Sequence, residues 1–335
     1  MIRGKQFFIF TALLICFMSV ALFFWVFPRQ PFSHDSDIAI YNLTKGTSAK
    51  AMLEQFKRRG ILTARQAQLF RWWIQIQGLE KSLQVGEYAI PLNITPRVLL
   101  EKLIKGDVLQ HVLTVQEGST IRETLMIMHQ HPAIKKCLVG KSLPEIMALL
   151  GEPSLFAEGV FFPDTYYFTA DLTDLALLRR ARQTMNQRLN TIWAQRDPNV
   201  VLHSSYEALI LASIIEKETG LDQERHIISG VFQRRLAKHM RLQADPTVAY
   251  GLSDFSGILT KEHLKQESPY NTYLHGGLPP TPIALPSMKS IIAACHPDKG
   301  EALYFVAKGD GGHYFSNTLA DHNKAVEYYR RGRAQ

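Results

Sequence analysis

Residues 206–220, YEALILASIIEKETG, constrain this chain more than any other stretch. The segment is apolar almost without interruption and closes on two acids, Glu216 and Glu218. It is too long for an ordinary strand, and Ala208, Leu209, Leu211 and Ala212 are good helix formers, so it reads as a helix. A helix that is apolar on nearly every face belongs in a core. At about 100° per residue, Leu211, Ile214, Ile215 and Glu218 share one stripe, whereas Glu216 is turned roughly 200° from Glu218. A carboxyl at the end of an apolar stripe loses hydration, which favours its protonated form and raises its pKa. An acid that holds its proton near neutrality is suited to general-acid catalysis. The alternative is that both acids are solvated residues of a last helical turn.

The second constraint lies at the start of the chain. Residues 7–27 form an apolar run of about the 20 residues that a bilayer-spanning helix needs. Arg3 and Lys5 precede it, which by the positive-inside rule keeps the N-terminus cytoplasmic. Pro28, Arg29, Gln30 and Pro31 follow, with no small-x-small cleavage site. The expectation is a retained signal anchor: residues 1–6 a cytoplasmic stub, 7–27 the span, and everything beyond about Pro31 outside the cytoplasm. A cleaved signal is the alternative.

Of the 335 residues, 46% are hydrophobic, so most of the chain should fold, and its length allows two or three domains. The net charge of +8 suits an anionic surface, a polyanion or simple solubility. The basic residues are scattered and no nucleic-acid motif occurs, so no nucleic-acid partner is expected. Three cysteines are too few for a disulfide scaffold. Cys16 sits in the apolar run, and pairing of Cys137 with Cys295 stays open. No Cys/His cluster has metal-ligand spacing, and His313 and His322 alone do not make a site. No cofactor is implied.

Between residues 38 and 106 strands, Gly turns and short helices alternate. The segment TPRVLLEKLIKG reads as a helix with Thr95 as N-cap and Pro96 at the first helical position. Gly60 is expected at the C-cap of the helix before it. The stretch TVQEGSTIRETL is similar to the turn of a LysM module, a peptidoglycan-binding unit, and a plain spacer is the other reading. Residues 157–169 are dense in aromatics, which are first of all core material. Asp164 reads as a turn or cap residue. Residues 172–196 form a long helix with a basic outer face.

Helix 223–240 carries Ile227, Ile228, Val231, Phe232 and Leu236 as its apolar stripe. Then LQADPTVAYG takes Gln243 and Asp245 into a Pro turn. Residues 268–287, SPYNTYLHGGLPPTPIALPS, have no helical period and are too apolar for a linker, as expected of a binding wall. Asn271, Thr272 and Tyr273 there offer hydrogen bonds and a stacking ring, which suits a carbohydrate. A short helix, a β-hairpin around a Gly-rich turn and a closing helix complete the chain.

An N-terminal anchor, EGVFFPDTYYF, ASIIEKET, RLQADPTVAYG, SPYNTYLHGGLPPTPI, YFVAKGDGGHYFS and TLADHNKAV occur in that order. Together they resemble the endolytic murein transglycosylases, the MltG or YceG-like proteins, over nearly the whole chain. The resemblance implies an α+β protein: a transmembrane helix, a LysM-like subdomain over 36–150 and a lysozyme/transglycosylase-like catalytic domain over 151–335. It implies cleavage of nascent peptidoglycan glycan strands at the inner membrane, with the catalytic domain in the periplasm. It also implies a 1,6-anhydro-MurNAc end, and peptidoglycan synthases as partners. The family's catalytic acid falls on Glu218, the residue that the helical stripe selects. Gln243, Asp245, Asn271, Thr272 and Tyr273 are the candidate substrate-binding residues. Thr281, Leu285, Ser287 and Asp321 depart from the family's usual Gly, Asn, Gly and Glu, which bears on the cleft wall and not on the acid. A two-carboxylate hydrolase using Asp245 and a non-catalytic peptidoglycan-binding scaffold are the rival readings.

Overall fold

The computed structural model of the protein describes residues 2–32, 38–91, 93–253, 255 and 257–332. The expected domain start at residue 36 and the last three residues of the closing helix lie outside them. The protein is α+β, with two-stranded sheets set among helices. The chain divides into two compact units, Met1–His111 with Phe168–Ala170, and Val112–Tyr167 with Asp171–Gln335.

Unit 1 begins with α1 (Ile2–Val26), which is the helix long and apolar enough to cross a membrane among the described residues. A 3-10 turn, Phe27–Arg29, carries it into the unit's core, where Phe27 and Pro28 are buried. There follow β1 (Ile38–Leu43), α2 (Ala49–Arg58), α3 (Ala64–Ile76), β2 (Gly86–Pro91) and α4 (Pro96–Lys105). Strands β1 and β2 are antiparallel, with Tyr41 opposite Tyr88. Both rings are fully buried and both hydroxyls are satisfied, Tyr41 donating to Gln55 Oε1 (3.0 Å) and Tyr88 to the Gln84 carbonyl (2.7 Å). The helix starts follow the sequence. Ser48, Thr63 and Thr95 each accept a first-turn N–H, and Pro96 occupies the first position of α4. The C-cap of α2 is Arg59, one residue earlier than expected, and Gly60 takes the left-handed conformation (φ 72°) that follows it.

Strand β3 (Gln110–Thr114), with which the chain passes from unit 1 into unit 2, pairs with β4 (Thr165–Thr169). Between them lie α5 (Ile121–Gln130) and α6 (Leu143–Leu150), both started by capping boxes. The aromatic stretch is core as expected: Phe161, Phe162, Tyr166 and Phe168 are buried, and only Tyr167 among these is exposed. Asp164 accepts from the Thr165 N–H, the local turn role foreseen for it. After α7 (Asp174–Ala194) comes α8 (Ser205–Glu218), which packs against α7, α9 (Asp222–Ala237), α10 (Asp245–Gly251) and α11 (Met288–Cys295). Every residue from Ala208 to Ile215 is buried. Each large aliphatic side chain so removed from water contributes on the order of 1.5–3 kcal/mol. The hairpin β5 (Tyr304–Ala307) and β6 (His313–Ser316) and the helix α12 (Leu319–Gly332) end the unit.

One expected turn is a helix instead. Asp245 and Pro246 open α10, because a Pro ring presets the φ of a first helical turn as readily as that of a β-turn. Cys137 and Cys295 are not bonded: Cys137 donates to Asp174 Oδ1 (2.8 Å), and Cys295 is buried on α11.

Candidate active site

Glu218 is the last residue of α8, and the chain turns out of the helix at Thr219 into an extended conformation. Thr219 is buried, and its hydroxyl donates to Glu224 Oε2 (3.3 Å). Glu224 in turn accepts from the His313 N–H (2.8 Å) and contacts His313 Nδ1 (2.7 Å), which ties the start of α9 to β6. The helix end, α9 and the hairpin are thereby held as the floor of one cleft.

The cleft has a volume of about 580 Å3. Glu218, Arg235, Gln243, Asp245, Tyr273 and Tyr304 line it, with Phe305, His313, His322, Asn323 and Tyr329 around them. The Glu218 carboxyl has no hydrogen-bond or ion-pair partner among the described residues. Burial pushes its pKa up to about 8, the Asp245 charge adds to the rise, and the Arg235 charge opposes it. The C-terminal end of a helix also disfavours a negative charge. Glu218 is therefore an acid that carries its proton at neutral pH.

Asp245 accepts the Tyr273 hydroxyl (2.6 Å) at the start of α10. Gln243 lies beside them in a left-handed conformation (φ 51°), its N–H donating to the Thr272 carbonyl (3.1 Å). That hydrogen bond joins the 243–245 segment to the 268–287 wall. Asn271 and Thr272 do not line the cleft. Asn271 is fully buried and donates to the Leu264 and Gln266 carbonyls (3.2 and 2.8 Å) while accepting from the Tyr273 N–H (3.0 Å). Thr272 is buried, its hydroxyl accepting from the Ala244 N–H (3.0 Å) and bonded to Thr247 Oγ1 (2.8 Å). Both shape the wall that presents Tyr273.

Sequence reasoning missed Arg235. It is buried, yet no carboxylate lies within ion-pair distance among the described residues. Its guanidinium donates to the Leu303 carbonyl (2.7 Å) and the Leu242 carbonyl (2.8 Å) and lies over the Tyr304 ring at 5.2 Å. The signal was available, since Ile228, Val231, Phe232 and Arg235 stand at i, i+3, i+4 and i+7 and all are buried. Tyr304 stacks on His322 (5.3 Å), whose Nδ1 is buried without a hydrogen-bond partner. Burial, and then the Arg235 charge, hold the His322 pKa down, so this ring is neutral at pH 7. No group of three or more His, Cys, Asp or Glu side chains among the described residues is arranged to hold a metal ion.

The cleft brings together aromatic rings, a carboxyl whose pKa burial raises and a buried cation, groups that can stack on ring-shaped units and donate a proton. The chain belongs to the YceG-like family, which it matches over residues 41–328. It is 33% identical over 320 residues to the endolytic murein transglycosylase of Bacillus subtilis, covering 90% of this chain and 87% of that one. It is 27% identical over 279 residues to the endolytic murein transglycosylase of Streptococcus pneumoniae, covering 73% of this chain and half of that longer one. Its fold is similar to the crystal structure of a YceG-like protein from Listeria monocytogenes, with a TM-score of 0.57 and 28% identity over 86% of this chain and 98% of that one.

Proposed function

We propose that the chain is a lytic transglycosylase, a lyase that cuts the MurNAc–GlcNAc bond of nascent peptidoglycan strands and leaves a 1,6-anhydro-MurNAc end. The observation that carries this reading is the carboxyl of Glu218, without a hydrogen-bond partner among the described residues and with its pKa raised by burial, inside an aromatic-lined cleft. Glu218 gives its proton to the glycosidic oxygen, and the C1–O bond breaks to an oxocarbenium-like state. The carboxylate then takes the proton of the MurNAc 6-hydroxyl as that oxygen bonds to C1, which returns Glu218 to its starting form. The nucleophile is tethered to the reacting ring, so proximity replaces a bound water. Arg235 lies close enough to favour the transient carboxylate. Gln243 and Tyr273 bind sugar, and Asn271 and Thr272 act by fixing the wall behind Tyr273.

Helix α1 is read as the inner-membrane anchor, with the N-terminus cytoplasmic, the rest of the chain periplasmic, and peptidoglycan synthases as neighbours on the same strands. A LysM-like role for residues 36–150 and catalysis by 151–335 form a functional division that differs from the compact units. A second reading, a hydrolase with two carboxylates, is favoured by one observation: Asp245 lines the same cleft and acts on the charge of Glu218.

The test is a digest of uncrosslinked glycan strands by the full chain in detergent, with products read by mass spectrometry. Anhydro ends from the wild type, falling about 10²- to 10⁴-fold in Glu218→Gln, are expected. Reducing ends would replace the lyase by the hydrolase. Unchanged products from folded Glu218→Gln would remove the acid from its role.

A further inference from the structure

α1 does not end in a linker. Phe27, directly after it, stacks on Phe23 (5.2 Å) and meets Phe32 (6.5 Å) and Trp73 (6.4 Å) edge-on. The Phe32 N–H donates to the Ile94 carbonyl (2.8 Å). The core of unit 1 therefore begins at the last turn of the apolar helix, and their relative depth is fixed. The apolar window Phe10–Arg29 has 20 residues, about 30 Å at the helical rise, the thickness of a bilayer's hydrocarbon core. With that window in hydrocarbon, Arg29 stands at the level of the lipid headgroups.

A groove of about 320 Å3 opens at this level. Phe24, Trp73, Leu100 and Ile104 give it an apolar wall, and Arg29 and Arg97 bring cations to it. Arg97 is paired with Glu101 (3.0 Å). Arg29 has no carboxylate partner among the described residues; it donates to the Trp25 carbonyl and lies 5.1 Å over the Trp25 ring. Its charge is left over. On the same helices Leu22 and Trp25 of α1 and Trp72 and Ile76 of α3 are exposed. An apolar trough with Trp73 in its wall and one surplus positive charge match the two ends of a membrane lipid.

The geometry points to a phospholipid site: a phosphodiester headgroup against Arg29 and Arg97, with one acyl chain along Phe24, Leu100 and Ile104. This rests on the reading of α1 as a membrane anchor. The lipid would hold unit 1 at a set height and tilt on the surface that supplies new strands, a constraint that a simple tether lacks.

The experiment uses the full chain purified in mild detergent, with phosphatidylglycerol titrated and bound lipid counted by native mass spectrometry. One retained phospholipid is expected. Two variants should each weaken its retention about tenfold: the double variant Arg29→Gln/Arg97→Gln, which removes the cations, and Gln77→Glu, an exposed change that sets a like charge beside the phosphate. Unaltered retention in both overturns the site. So does preferential retention of an isoprenoid diphosphate added in equal amount. Alkaline extraction of the cell membranes tests the anchor separately. A chain that extracts like a peripheral protein ends the anchor reading, whereas a chain that stays embedded but shows no selective lipid ends only the groove.

Discussion

Glu216 and Glu218 leave the same turn of α8 two residues apart and meet opposite surroundings. Glu216 Oε2 accepts from the Ser287 N–H (2.9 Å), the Ser287 and Ser290 hydroxyls and Arg225 Nη1 (3.2 Å). Both partners of that ion pair are 7% exposed in their side chains. Glu218 has none of these donors and faces a cleft. The donors that α9 and α11 bring to one side, and withhold from the other, lock Glu216 into a hydrogen-bonded junction and leave Glu218 facing the cleft with its pKa raised by burial. The expectation that both acids could be solvated fails for Glu216, which is locked into the junction of α8, α9 and α11.

The sharpest way to break this comparison is to exchange what each acid loses. Glu218→Gln carries the largest expected effect, the loss of activity set out above, and it should come with a gain in stability. A carboxyl whose folded pKa is about 8 and whose ordinary value is 4.5 binds more protons folded than unfolded between those limits. The wild type therefore loses stability as pH rises from about 4.5 to about 8, and the Gln variant is spared that loss. Thermal unfolding at pH 5 and pH 8 should show the variant's relative stability rising with pH. Glu216→Ala should do the reverse. It leaves three donors without their acceptor and removes one of the two carboxylates paired with Arg225, Asp222 being the other, at a cost on the order of 3 kcal/mol, which denaturant unfolding should show as a lowered midpoint. A stable Glu216→Ala protein would mean that the network is dispensable and the contrast false.

Much of this was legible in the sequence because burial follows helical periodicity. The stripe Leu211, Ile214, Ile215 separates Glu218 from Glu216 without any structure, and the same rule marks Arg235 in α9. Cations on helices are usually solvated, which is why the stripe of α9 was drawn without Arg235. The 268–287 wall was legible only as a wall. With no period to say which side chains point inward, Asn271 and Thr272 read as sugar ligands. Their partners, the Leu264 and Gln266 carbonyls and the Ala244 N–H, come from backbone that only the fold brings near. Asp245–Pro246 is ambiguous for a reason of its own, since one fixed φ serves a turn and a helix start equally.

A milder change sharpens the electrostatics of the cleft. Asp245→Asn removes the second of the two causes that raise the Glu218 pKa while leaving an acceptor for the Tyr273 hydroxyl. On the proposed mechanism Glu218 acts in its protonated form, so activity should fall as pH rises through its pKa. The alkaline limb of the pH–rate profile should therefore move to lower pH in Asp245→Asn, with the maximal rate largely kept. A fall in maximal rate with the limb unmoved would instead point to Asp245 as a second acting carboxylate.

The smallest effect belongs to Glu158, which tests whether a raised pKa is enough to make a catalytic acid. Burial pushes its carboxyl up to about 7, yet it is not part of the cleft lining and instead lines a separate cavity with Tyr250, Tyr270 and Thr281. Its oxygens accept from the Ile121 N–H (3.0 Å) and the Tyr250 hydroxyl (3.1 Å). Gln at this position can accept only one of the two, so Glu158→Gln should lose about 1 kcal/mol at pH 5, where the wild-type carboxyl is protonated in the folded state. As pH rises from about 4.5 to about 7 the wild type gives up stability on ionising its unfolded chain, and the variant does not. That loss, on the order of 2–3 kcal/mol between pH 5 and pH 8, exceeds the initial gap, so the variant should overtake the wild type toward pH 8 in denaturant titrations, with glycan cleavage unchanged throughout. A constant gap would mean that Glu158 ionises at its ordinary pKa. A loss of cleavage in a folded variant would mean that the two acids differ less than their neighbours suggest, and that catalysis draws on the surroundings of α10 as a whole rather than on the one acid that the cleft leaves without a partner.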